Sequence, residues 1–256
     1  MIAGLDGSSV FHYLAVMKRL ISTIAFSVLS VAFIVCAQED VSPKAKQESV
    51  KPGINKNFLD PNLDIKQWFG RFEVESREVY HCRDKILAAL GIVPGSALAD
   101  IGAGTGLYMK PFAEAVGKDG QVFAVDISEV FVKNLKKRAQ ESELSQVKVV
   151  QCSEDSVKLP ANSIDLAFIC DTYHHFEYPA LTLASIHKAL KPGGRMVVID
   201  FERIPGVSRE WLLGHVRAGK DVFTSEINAA GFELEKEVTI DGFKENYFLV
   251  FGKRQA

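Results

Sequence analysis

From about Leu63 onward, short apolar runs alternate with stretches in which apolar positions recur every three to four residues. The first pattern reads as buried strand, the second as amphipathic helix. Asp64 to Leu90 reads as helical, with Trp68, Phe69 and Phe72 early and Ile86, Leu87 and Leu90 late. Gly91 and Pro94-Gly95 end it. Strands are predicted over Ala97–Ile101, Gln121–Asp126, Val147–Gln151, Ile164–Cys170 and Arg195–Phe201, and helices over Tyr108–Val116, Val130–Glu141 and Pro179–Leu190. Lys133, Lys136, Lys137 and Arg138 form the solvated face of the second of these helices. Such alternation builds βαβ units and a parallel sheet covered on both faces. In the tail, Trp211–Ala230 reads as one helix, and Phe232–Ile240 and Glu245–Lys253 as strands turned by Asp241-Gly242. The sheet is therefore expected to end in an antiparallel pair.

The first 62 residues follow other patterns. Lys18 and Arg19 precede an uncharged apolar stretch, Leu20 to Val35, and Gln38-Glu39-Asp40 follow it. That is the order of a secretory signal peptide, and a cut before Gln38 puts Val35 and Ala37 at its −3 and −1 positions. An uncleaved anchor is a second reading, although the stretch is shorter than the roughly 20 residues that span a bilayer. Membrane association would then run through residues 20–35. A lipoprotein modified on Cys36 is a third, with Val35 against it. Met17, just ahead of Lys18, offers an alternative start. Positive charge before the stretch and acid after it place the remainder outside the cytoplasm, exported or periplasmic, with a membrane-anchored or cytoplasmic chain as the alternatives. Residues 38–62 read as a linker. The expected division is 1–37 signal peptide or anchor, 38–62 linker and 63–256 a single domain.

Composition narrows the function. A hydrophobic share of 47% and a charged share of 24% exclude a disordered or collagen-like chain. Thirty basic against 32 acidic residues leave no basic excess for nucleic-acid phosphates. Cys36, Cys82, Cys152 and Cys170 form no C-x-x-C pair, which argues against a zinc or thioredoxin-like site. No metal is called for.

The chemistry-bearing motif is Asp100-Ile101-Gly102-Ala103-Gly104-Thr105-Gly106, which follows the first strand and opens a helix. Glycines there let a ligand approach the backbone. The dinucleotide fingerprint needs G-x-G-x-x-G, and here the third glycine comes one position early. Asp126 closes the second strand, where a carboxylate can accept both hydroxyls of a ribose.

With these pieces the chain resembles the class I S-adenosylmethionine-dependent methyltransferases, closest to the small-molecule and quinone branch. The match extends over Glu154-Asp155 after the third strand, Cys170-Asp171-Thr172-Tyr173-His174-His175-Phe176 after the fourth, and Leu190-Lys191-Pro192-Gly193-Gly194 before the fifth. It covers about residues 75–205. The resemblance implies an α/β, Rossmann-like fold, a seven-stranded mostly parallel sheet of order 3-2-1-4-5-7-6 with an antiparallel C-terminal hairpin strand. It implies S-adenosylmethionine as cofactor. Gly102, Ala103, Gly104 and Gly106 would line its methionine part, Asp100 its amino group, Asp126 and Ile127 the ribose, and Asp155 or Glu154 the adenine. Asp100 has a plainer reading as a strand-end turn residue, and Asp126 as a helix cap.

Methyl transfer by in-line displacement needs alignment and a dry pocket more than a strong base. Asp171 is a candidate for the cofactor and acceptor site, or a carboxylate holding a loop. His174 is a candidate base because histidine titrates near neutral pH, with His175 behind it and a structural role open for both. His215 is a candidate for the acceptor pocket, and Tyr80 for covering the cofactor. Trp68, Phe69 and Phe72 read as packing rather than a substrate cage. The acceptor expected is a small or lipid-like molecule; no N-P-P-Y-type motif of a DNA methyltransferase follows the fourth strand. A rival reading is a non-catalytic exported protein that binds an S-adenosyl ligand, since export and a cytosolic cofactor sit awkwardly together. Oligomeric state is open.

Overall fold

Ile101, at the end of the first strand, is flanked in the sheet by Val125 and Ile169, and this central position explains the apolar runs of the three strands involved. The computed structural model describes residues 47–254. The apolar segment 20–35 lies outside the described residues. Three helices open the described chain: α1 (Ile65–Phe72), α2 (Glu78–His81) and α3 (Arg83–Leu90). There follow β1 (Ala97–Ile101), α4 (Met109–Val116), β2 (Gln121–Asp126), α5 (Glu129–Glu141), β3 (Val147–Gln151), β4 (Ile164–Cys170), a 3-10 turn (Tyr173–His175), α6 (Pro179–Ala189), β5 (Leu190–Phe201), α7 (Glu210–His215), α8 (Lys220–Ala229), β6 (Phe232–Glu237) and β7 (Asn246–Lys253). The seven strands form one sheet of order 3-2-1-4-5-7-6, and β7 runs antiparallel to β5 and β6.

Successive side chains of a strand face opposite ways, so β1 sends Ala99 and Ile101 to one core and Leu98 to the other. Leu183, Ile186, Phe223 and Ile227 from α6 and α8 close the first face. Ile86, Leu90, Phe112 and Val116 from α3 and α4 close the second. Fully buried side chains of this size contribute about 1.5–3 kcal/mol each, which is why the sheet and these helices follow the apolar pattern closely.

Four departures from that pattern have local causes. The stretch 64–90 is three helices. Asp64 caps α1 through the Lys66 N–H at 3.0 Å, but α1 ends at Phe72, where Glu73 turns to Arg138 and Arg77 to Asp171. The stretch 211–230 is two helices, broken at extended Val216, because the Arg217 guanidinium reaches Glu226 at 2.7 and 2.8 Å and Gly219 begins α8. Strand β5 begins at Leu190, whose partner is Ile164, and the register shifts before Arg195 pairs with Leu166. The β6–β7 connection is longer than a two-residue hairpin, since β6 stops at Glu237 and β7 starts at Asn246.

Residues 47–62, read as the end of a linker, pack on the domain. Val50 donates to the Glu177 carbonyl, Asn55 is buried and donates to the His175 carbonyl, and Lys51 donates to the His215 carbonyl.

Candidate functional site

The sheet's carboxyl ends define the site, as expected of open α/β sheets. Gly102 and Ala103, just past β1, both donate to the Val125 carbonyl of β2. This pins the loop beside Asp126. The Asp126 carboxylate then accepts from Gly104 N–H at 2.8 Å and from Ser128 N–H at 2.8 Å. A cavity of about 670 Å³ opens there, lined on this side by Asp100, Gly102–Thr105 and Asp126-Ile127. Burial pushes Asp126 up to about 6, although the Ser128, Gly104 and Ile127 N–H groups pull the other way. Burial and the neighbouring Asp126 charge push Asp100 up to about 8.

Gly102 has φ +80, and a Cβ there would fall inside the Thr172 side chain. Gly102→Ala is expected to cost about 1–3 kcal/mol in denaturant unfolding, from positive φ and overpacking together. A Gly102→Ala/Thr172→Ala double variant should recover the overpacking part; a Gly102→Ala variant as stable as the parent would remove Gly102 from this argument. Gly106 differs from the other two glycines. It does not line the cavity, and a Cβ there would sit 2.8 Å from Leu135 Cδ2, so it serves the contact with α5.

Two other expected contacts are also displaced. Tyr80 does not line the cavity; its ring lies under the Arg83 guanidinium at 5.5 Å. Asp155 is exposed and accepts from Ser153 Oγ at 2.8 Å, whereas Cys152, Ser153 and Glu154 line the cavity. Asp155 lies in the turn closed by a Ser153–Ser156 bridge. Burial and Glu177 raise Glu154.

Beyond β4, Asp171 sits in the left-handed region at φ +46. Arg77 and Asn246 occupy its two oxygens, the latter at 2.7 Å, and its side chain is 7% exposed. Burial raises its pKa and the Arg77 charge works against that. Asp171 lines the cavity, and its carboxylate also holds the loop, with Arg77 as its unforeseen partner. Glu78 reinforces the same junction by accepting the Lys244, Glu245 and Asn246 N–H groups.

The turn after Asp171 carries the histidines. His174 is buried, and its Nδ1 lies 2.8 Å from Oδ1 of Asp200, itself fully buried in β5. That carboxylate also accepts the His174 and Phe201 N–H groups. Nδ1–H of His174 is therefore assigned as the donor, which leaves Nε2 as the acceptor. His215, at the end of α7, points its own Nε2 at this atom from 3.2 Å. Burial above all lowers His215 to about 4 and His175 to about 2, so both are neutral near pH 7. All three line the cavity.

The remaining wall is aromatic. Phe58 and Phe72 pack on Trp68 at 4.8 and 5.0 Å, and Phe131 joins them. Helix α1 has no fully buried residue; its Trp68 and Phe72 face the cavity instead of a core. Expected as packing, these two line a chamber. Such an arrangement can hold a nucleoside-like ligand at Asp126 and a flat apolar partner beside it.

Residues 99–198 match a family model described as a methyltransferase domain. Among curated proteins, the chain is 32% identical over 114 residues to the ubiquinone/menaquinone biosynthesis C-methyltransferase UbiE of Marinomonas sp. (strain MWYL1), covering 44% of this chain and 45% of that protein. The protein of the same name from Hydrogenovibrio crunogenus is 32% identical over 115 residues, with 44% and 45% covered. The chain thus spans about half the length of these relatives. Among solved structures, a SAM dependent methyltransferase from Aquifex aeolicus superposes with TM-score 0.66 at 22% identity, covering 74% of this chain and 98% of that one. The [4+2]-cyclase SpnF superposes with TM-score 0.64 at 16% identity, covering 82% and 97%. These two share the fold, and their differing names leave chemistry to the site. The chain has the Rossmann-like methyltransferase fold, and its residues 99–198 match the methyltransferase-domain family.

Proposed function

We propose that the protein is an S-adenosylmethionine-dependent methyltransferase acting on a small-molecule or lipid-like acceptor. One observation carries the reading: the Gly102–Gly104 loop and the Asp126 carboxylate open onto a cavity whose far walls are aromatic and histidine-bearing. The residues fit the cofactor. A Cβ at Gly104 would stand 3.3 Å from Phe72, so the loop's bare backbone is what leaves room for a ligand. Asp126 would take the ribose hydroxyls and Asp100 the amino group; Ile127 and the Cys152–Glu154 edge would flank the adenine. The cofactor supplies a methyl group already activated on a sulfonium.

The chain's part is alignment and exclusion of water, which together can account for several kcal/mol of a barrier. Trp68, Phe72 and Phe131 would hold a flat or lipid-like acceptor. While its Nε2 is unligated, His174, fixed by Asp200 and facing His215 Nε2, can take a proton if the acceptor must lose one. The names of the matched relatives support a quinone-like acceptor class.

Calorimetric titration of the full chain with S-adenosylhomocysteine tests this reading. Because Asp126 is pushed up to about 6, it is ionised at about pH 7.5 and protonated at about pH 5. Affinity is expected to fall about tenfold between those conditions, as the charged acceptor is lost. Asp100, pushed up to about 8, is mostly protonated near pH 7 in the free protein. An ammonium group beside it favours ionisation, so binding should release a proton and its heat should vary with buffer ionisation enthalpy. No binding at either pH would overturn the proposed activity.

A further inference from the structure

We propose that His174, His175 and His215 form a three-histidine site for a divalent transition-metal ion of the zinc class, with a fourth coordination position open to the cavity. One ring nitrogen from each of the three lies within 4.8 Å of the other two. An ion held tetrahedrally at 2.0–2.1 Å needs its ligand nitrogens about 3.4 Å apart. His174 Nε2 and His215 Nε2 already stand 3.2 Å apart. With no pair farther apart than 4.8 Å, a shift of up to about 1.4 Å in the third ring would close the set at the bond lengths such an ion takes.

The shell behind the rings has the arrangement a metal ligand needs. A ligating histidine usually donates its other N–H to a carboxylate, which fixes ring and tautomer. Asp200 does this for His174 at 2.8 Å, and its own position is fixed by the His174 and Phe201 N–H groups. The result is a bare Nε2 aimed at His215. Trp211 stacks on the His215 ring at 5.0 Å and 17°, and Phe58 packs edge-on against His175 at 5.0 Å. The Lys51 ammonium nearby is turned to the Gly214 and His215 carbonyls, and at His215 the Asp200 charge works against it.

His175 supplies the independent observation. Its Nδ1 is buried and has no hydrogen-bond partner among the described residues. A buried polar atom left so costs about 1–3 kcal/mol, and coordination would satisfy it. Imidazole donors select zinc, cobalt, nickel or copper over calcium and magnesium. The site would give the cavity a Lewis-acidic point able to hold an anionic oxygen of whatever ligand enters.

The test is a titration of the full chain, stripped of metal and carrying no histidine tag, with cobalt(II). The expected result is one equivalent bound with visible d–d absorption of four-coordinate intensity, displaced by one equivalent of zinc. His215→Ala should weaken binding at least about tenfold, and His215→Gln likewise; circular dichroism identifies which variant is folded, and a folded one decides. Absence of stoichiometric cobalt absorption, or equal affinity in the folded variant, overturns the site. The titration uses no S-adenosyl ligand, so its result stands apart from the methyl-transfer reading.

Discussion

Asp126→Ala is expected to weaken S-adenosylhomocysteine binding at least about 100-fold. The carboxylate ends β2 at the mouth of the cavity and already accepts the Gly104 and Ser128 N–H groups. Asp126 lines the cavity, and its remaining lone pairs are those left for a ribose. Hydrogen bonds to a charged group contribute about 1.5–3 kcal/mol each, and two of them amount to about two orders of magnitude or more. The variant also frees Gly104 from its tie, so part of the loss comes from a looser loop. Asp126→Asn separates the two effects. It keeps an oxygen near the loop but loses the charge, and should fall between the parent and the alanine variant. Stability moves less than affinity, because removing a buried carboxyl relieves a desolvation cost while leaving two N–H groups unpaired. Calorimetry beside a thermal melt of each variant makes the comparison. Unchanged affinity in a folded Asp126→Ala protein would remove the ribose role.

Arg77→Ala is expected to cost about 3–5 kcal/mol of stability near neutral pH, the usual result of stripping the partner from a buried charge. Asp171 would keep only Asn246 while remaining in the left-handed backbone region. Burial already raises Asp171 and Arg77 opposes that rise. Without Arg77 the carboxyl should protonate more readily, so the deficit should shrink as pH falls, since a neutral carboxyl needs no counter-charge. Arg77→Ala/Asp171→Asn should recover much of the loss, as asparagine tolerates positive φ and carries no charge. Urea unfolding of the four proteins at two pH values completes the cycle. A deficit independent of pH, with no recovery in the double variant, would show that Arg77 acts through packing on Phe72, over whose ring its guanidinium lies at 5.2 Å.

Arg77 was not legible in the sequence, and the reason is instructive. It lies where an unbroken helix was expected, and its partner is 94 positions away. Helical periodicity continues through 73–77, so nothing local announces the break; the ion pairs of Glu73 and Arg77 impose it. The same holds at Val216, where Arg217 leaves the helical path for Glu226. Gly214 and Gly219 were the available warning. Lys51 and Asn55 were hidden by a linker-like composition, and Trp68 and Phe72 by the rule that aromatics at helical spacing face a core. Asp200 had a usable signal: like Asp126, it stands at the carboxyl end of a strand.

The strands were set by the sequence alone and their order followed from the family resemblance; the glycine loop and Asp126 stand at the carboxyl ends of β1 and β2, as the sequence placed them. Central parallel strands are buried on both faces, so their apolar runs admit no other reading, and glycine at positive φ is close to obligatory. Only the tertiary structure decided which acidic and histidine side chains meet. Asp155 turned outward while Glu154 stayed, Gly106 went to α5, and Asp171 went to Arg77. His174, His175 and His215 reached one point through a 3-10 turn and the end of a short helix. Convergence of this kind depends on loop paths and long-range ion pairs, and no spacing along the chain encodes it.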